Sequence, residues 1–163
     1  MKQILYLLSD LTLKKNFMKW LYKNKEINEI SDLPSNTFGF IYQTTHILTG
    51  KKYIGKKSLM YNLKKKLGKK EKALWEGKGR PPVFKRVLKE SDWKTYYGSH
   101  HLIKEYVKGG FEHELKREII AIATDKKHLT YLECKHQFAL GVLEKSEYLN
   151  DNILGKFFDK DFA

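Results

Sequence analysis

The chain has 163 residues, enough for one domain with a genuine core, and 31% of them are charged, giving a formal net charge of +13. Residues 51–89 hold 15 lysines and arginines against 2 acids, Glu71 and Glu76, so this one segment carries the whole excess. Cys134 is the single cysteine, which excludes an intrachain disulfide and the four-cysteine zinc sites, and no stretch is long and uncharged enough to span a bilayer.

A soluble, intracellular (cytoplasmic) protein with a polyanionic partner is therefore expected, and no obligate protein partner is evident. Asp10 can cap a helix over Leu11 to Lys25, where Leu13, Phe17, Trp20 and Leu21 follow helical spacing. Residues 1–36 read as an N-terminal helical extension, closed by the breaker-rich run Ser31-Asp-Leu-Pro-Ser-Asn36. Thr37 to Thr44 and Lys51 to Gly55 read as two strands of a hairpin turned at Thr49-Gly50. On the period of two, Phe38, Phe40 and Tyr42 share one face of the first strand, and Lys51, Tyr53 and Gly55 share one face of the second. A register that aligns those faces brings the two phenols to a common substrate, and Gly55 would let it approach the backbone.

Ser58 opens a predicted helix over Leu59 to Leu67, stopped by Gly68 and followed by a charged loop over 68–82. Val83 to Glu90 is readable as helix turn or strand. A basic segment punctuated by Trp75, Gly77, Gly79 and Pro81 suits nucleic acid, whose phosphates Lys57, Lys64, Lys65, Lys66, Lys69, Lys70 and Arg86 would follow. Ser99 to Lys108 reads as a helix ended by Gly109-Gly110. Glu112 to Ala123 reads as a strand whose end, Ile119-Ile-Ala-Ile-Ala123, is apolar enough for a buried central position. Asp125 opens a helix to about Glu144, with Leu129, Leu132, His136, Ala139, Leu140 and Leu143 as its apolar stripe and Glu133 at the edge. The expected fold is α/β (α+β): a small, mainly antiparallel sheet flanked by helices, forming a domain over 37–163 with a basic insertion at about 64–90.

Phe40-Ile41-Tyr42 with Tyr53-Ile54-Gly55, flanked by Gly39 and Lys56-Lys57, resembles the paired signature of the GIY-YIG nuclease family. Phe40 departs from it, standing where the family usually has glycine. Tyr96-Tyr-Gly-Ser99, Gly110-Phe111, Arg117-Glu-Ile119 and Tyr148-Leu-Asn150 extend the likeness over about residues 37–155, toward a phage-encoded branch related to homing endonucleases. The resemblance implies a metal-dependent DNA endonuclease acting on double-stranded DNA with Mg²⁺ or Mn²⁺. It also implies Glu133 as the metal ligand; taken alone, that residue reads as the partner of a nearby lysine.

The family mechanism carried onto this chain makes Tyr42 the acceptor or relay of the water's proton and Tyr53 the group that positions water and phosphate. Lys56 would favour the phenolate. Tyr97 and Ser99 become substrate contacts and Asn150 a supporting residue. The family's arginine clamp would fall at Leu63, so its role is displaced to Arg80, with Arg86 as the other candidate; Arg117 reads as structural. That departure leaves a rival, a nucleic-acid-binding protein that has lost its chemistry.

Overall fold

The computed structural model describes residues 18–161. Its strands and helices in chain order are β1 (Trp20–Tyr22), β2 (Lys25–Ile27), β3 (Gly39–His46), β4 (Lys52–Ser58), β5 (Met60–Lys66), α1 (Lys69–Ala73), β6 (Phe84–Glu90), α2 (His101–Lys108), β7 (Leu115–Ala123), α3 (Lys126–Leu140), β8 (Asn152–Ile153) and β9 (Phe157–Phe158). Five strands form the main sheet in the order β2-β1-β7-β3-β4. β1 runs parallel to β7 and the other neighbours are antiparallel, so the sheet is mixed and the class is α+β.

β3 and β7 sit at the middle because their sequences supply apolar or β-branched residues to both faces, as a strand covered on both sides requires. A bulge opposite Ile41-Tyr42 puts one extra residue, Ile120, into β7. It turns Ile119 toward Trp20, Phe40 and Tyr42 on one face, while Ala121 and Ala123 join Ile41, Ile54 and Leu129 on the other. The second face is covered by α3, whose N-terminus is capped by the Asp125 carboxylate and whose end is set by Gly141 at φ +61. Gly39 permits that approach: a Cβ there would lie 2.5 Å from the Lys57 carbonyl and 3.0 Å from Leu129 Cδ2.

Three expectations change. Residues 20–22 form a strand inside the sheet, with Trp20 buried between Phe40 and Tyr42; the expected helix over Leu11 to Lys25 is absent from this part, and residues 11–17 lie outside those described. Where a helix is expected over Leu59 to Leu67, residues 60–66 form β5, paired with β6 from Met60↔Glu90 to Lys66↔Phe84, because long-range pairing overrides the helix preference of its lysines. The apolar stripe of α3 packs on the core through Leu129, Leu132 and Leu140, with Leu143 beyond the helix end, but the helix stops at Leu140 rather than near Glu144, Ala139 is exposed and Gln137 is buried instead. Among the described residues no helix is long and apolar enough to cross a membrane.

Candidate active site

The hairpin β3–β4 sets the two phenols by register. Tyr42 lies opposite Gly55 and Thr44 opposite Tyr53, so the tyrosines are diagonal neighbours on one face, with ring centroids 6.2 Å apart. Gly55 serves this pair directly. A Cβ on it would lie 2.5 Å from the Tyr42 hydroxyl oxygen and 2.9 Å from Tyr53 Cε1. The space expected to admit substrate is therefore filled by the Tyr42 phenol.

The two hydroxyls meet different surroundings. Tyr42 is 1% exposed, and its hydroxyl lies 3.5 Å from that of Tyr96. Burial, with the neighbouring Tyr96 and Tyr53 adding to it, holds its pKa well above the ordinary phenol value, so it keeps its proton at neutral pH. Tyr53 instead borders an open cleft of about 440 Å³, its hydroxyl 2.6 Å from Ser99 Oγ. Burial raises its pKa too, and the Ser99 bond works in the opposite direction.

Across the same cleft Lys56, two positions beyond Ile54 on the face covered by α3, pairs with Glu133 at 2.8 Å and donates to Thr130 Oγ1 at 3.2 Å. Glu133 thus has the lysine partner that its position alone suggests. It also presents a hard oxygen donor in a cleft open to water, which fits Mg²⁺, an ion commonly held through one or two carboxylates while keeping several waters. Asn150 fixes the strand between these groups. Its Oδ1 accepts from Ile54 N–H at 3.0 Å and its Nδ2 donates to the Ile54 carbonyl at 2.8 Å, so one amide side chain completes the open edge of β4.

Other sequence candidates lie elsewhere. Lys57 is tied to Asp92 at 2.6 Å and stands over the Tyr96 ring at 3.8 Å, so it is engaged inside the protein. Tyr97 is buried, its ring 4.0 Å from the Arg117 guanidinium. Arg117 is sealed at 1% exposure, donating to the carbonyls of Met18, Lys94 and Tyr96, which clasps the entry to β1 and the 94–96 segment onto β7. Burial lowers its pKa to about 10, leaving it charged at neutral pH. Arg80 is exposed beyond the far end of the β5–β6 ribbon, roughly 20 Å of strand from the ribbon's root at about 3.3 Å per residue. Lys64, Lys65, Lys66 and Arg86 lie along that ribbon, and Lys69 and Lys70 in α1, all exposed.

Sequence reasoning missed Gln137 and Asp151. Gln137 Nε2 donates to the Ile54 carbonyl at 3.3 Å and lines the cleft. Asp151 stands 3.5 Å from His100 Nε2, and ligand atoms of His100, His101 and Asp151 all lie within 4.8 Å of one another. His100 Nδ1 accepts the Leu102 N–H at the start of α2, and burial lowers the His100 pKa. Adjacency to Asn150 was the one available signal for Asp151.

The family model described as "Putative endonuclease segE, GIY-YIG domain" matches residues 20–153, most of the chain. Its start at residue 20 agrees with β1 belonging to the sheet. No curated protein and no solved structure matches the chain.

Proposed function

The chain belongs to the GIY-YIG family, in the group represented by the segE endonuclease domain, and from this we propose that it is a metal-dependent endonuclease hydrolysing phosphodiester bonds of double-stranded DNA. The observation that carries this reading is the cleft on which Tyr53, Ser99, Lys56 and Glu133 converge. Phosphodiester hydrolysis needs a group to take the proton of the attacking water and positive charge for the developing pentacovalent phosphate. Tyr53, hydrogen-bonded to Ser99 and open to the cleft, takes or passes that proton. Tyr42, buried beside it, positions Tyr53 through ring packing and stays protonated. Lys56 supplies positive charge to the phosphate, a part for which no arginine stands nearby. Glu133 holds the divalent ion that family membership implies, and when bound Mg²⁺ or Mn²⁺ supplies charge for the leaving oxygen. Asn150 holds β4, and with it Tyr53, in place.

The rival is a DNA-binding protein without chemistry, favoured by one observation: of the three arginines, Arg117 is sealed and Arg80 and Arg86 lie on the ribbon and its far connection. Incubating supercoiled plasmid with the protein separates the two. The nuclease reading expects relaxed or linear product with Mg²⁺ and intact plasmid with EDTA. Binding without any product in Mg²⁺ or Mn²⁺ would establish the rival.

A further inference from the structure

We infer that the β5–β6 ribbon is an arm that enters the major groove of DNA and reads base edges through the face carrying Asn62, Lys64, Arg86 and Leu88. The inference rests on the nuclease reading for its substrate and goes beyond charge neutralisation to sequence preference.

The ribbon is two strands that pair only with each other, most of their residues exposed, a form only marginally stable alone. Its pairing opposes Lys64 to Arg86 and Lys65 to Lys85, and like charges directly opposite each other repel. Leu88 and Phe84 are nonetheless 62% and 54% exposed. Self-repulsion combined with exposed apolar groups is what a polyanion with apolar edges relieves.

The two faces are not equivalent. Glu71 of α1 pairs with Lys85 and lies near Lys65, so the connecting segment leans on the face of Lys65 and Lys85. Asn62, Lys64, Arg86 and Leu88 share the opposite face and are all exposed. That face also continues into the catalytic cleft: Asn62 and Leu88 line a second hollow of about 560 Å³ together with Lys56, Lys126 and Thr130, and Lys56 borders both hollows. A duplex bound at Glu133 and Tyr53 thus has a continuous path onto this face.

The residue types suit base edges. The major groove of B-form DNA admits a two-stranded ribbon; arginine or lysine recognises guanine O6 and N7, asparagine recognises adenine, and apolar groups meet the thymine methyl. The Asn62/Leu88 and Lys64/Arg86 rows stand about 7 Å apart, roughly two base-pair steps, so the preference should span a few adjacent pairs. The deep, narrow major groove of A-form RNA excludes side chains, which makes duplex DNA the partner.

The test is selection of bound sites from random-sequence duplex DNA by the cleavage-blocked Glu133→Gln protein, then methylation interference on a selected site, with wild-type cleavage of plasmid assayed in parallel. The expected result is interference from guanine N7 methylation in a short patch, lost in Arg86→Ala or Lys64→Ala. Asn62→Ala should lower discrimination between bound and random sequences about tenfold. Lys65→Ala and Lys85→Ala, on the other face, should weaken all sequences alike and keep the interference pattern. Interference only at adenine N3, which lies in the minor groove, would overturn the inference, as would an unchanged pattern in Arg86→Ala and Lys64→Ala or equal affinity for duplex RNA. An intact plasmid alongside the expected interference would contradict the nuclease reading while supporting the arm.

Discussion

The two tyrosines that dominate the sequence separate by burial into a cleft-facing hydroxyl and an enclosed one. Because burial raises the Tyr53 pKa above its ordinary value near 10, the phenol is protonated at neutral pH and its phenolate fraction grows about tenfold per pH unit below that pKa. If Tyr53 takes the water's proton, single-turnover cleavage should rise about tenfold per unit from pH 7 to 9, and the residual rate of Tyr53→Phe should lose that slope. A flat wild-type profile would make Tyr53 a neutral donor. Of the residues singled out in the sequence, Tyr53 and Glu133, the latter through the resemblance alone, come together on one cleft. Distant partners are what the chain does not record: Asp92 and Tyr96, far along it, fold onto Lys57, the expected phosphate contact. Likewise Tyr97, a substrate contact by the resemblance, is buried with its ring 4.0 Å from the Arg117 guanidinium.

Strand pairs carry the site, and β3–β4 carries most of it. Gly55 is a position where the pair tolerates no added side chain without a shift, since a Cβ meets the Tyr42 hydroxyl and the Tyr53 ring. Gly55→Ala should cost about 1–3 kcal/mol as over-packing, read by denaturant unfolding. Tyr42→Phe in that background should restore part of the loss, because the nearest atom is the hydroxyl oxygen. Wild-type stability of Gly55→Ala would show that the phenols do not pack over this glycine. This hairpin was legible because aromatic alternation and the Thr49-Gly50 turn are local signals. The ribbon was not: seven lysine-rich residues carry no alternation, and only pairing with Phe84–Glu90, across the whole 67–83 connection, makes them a strand. β1 was misread for a related reason, its three residues owing their form to β7 nearly a hundred positions away.

Across the whole molecule, charge and chemistry occupy adjacent ground. Residues 51–89 begin at β4, beside the cleft, and run out along β5 and back along β6, so the segment that holds the formal excess of +13 also forms the arm. Its extent was plain from composition, while its shape was fixed by contacts composition does not record. The opposite face of the sheet, packed under α3, brings Glu133 to the strand that carries Tyr53, and Asn150 ties the edge between them. This convergence of two sheet faces at one strand edge is what supports the nuclease reading over that of a basic scaffold. The most direct measurement is single-turnover cleavage of a plasmid in Mg²⁺ by wild type, Tyr53→Phe and Glu133→Gln, with DNA affinity measured in Ca²⁺. Both variants should lose on the order of 10²-fold or more in rate while binding DNA within a few-fold of wild type. Cleavage at the wild-type rate by either variant would contradict the assignment of this cleft as the catalytic centre.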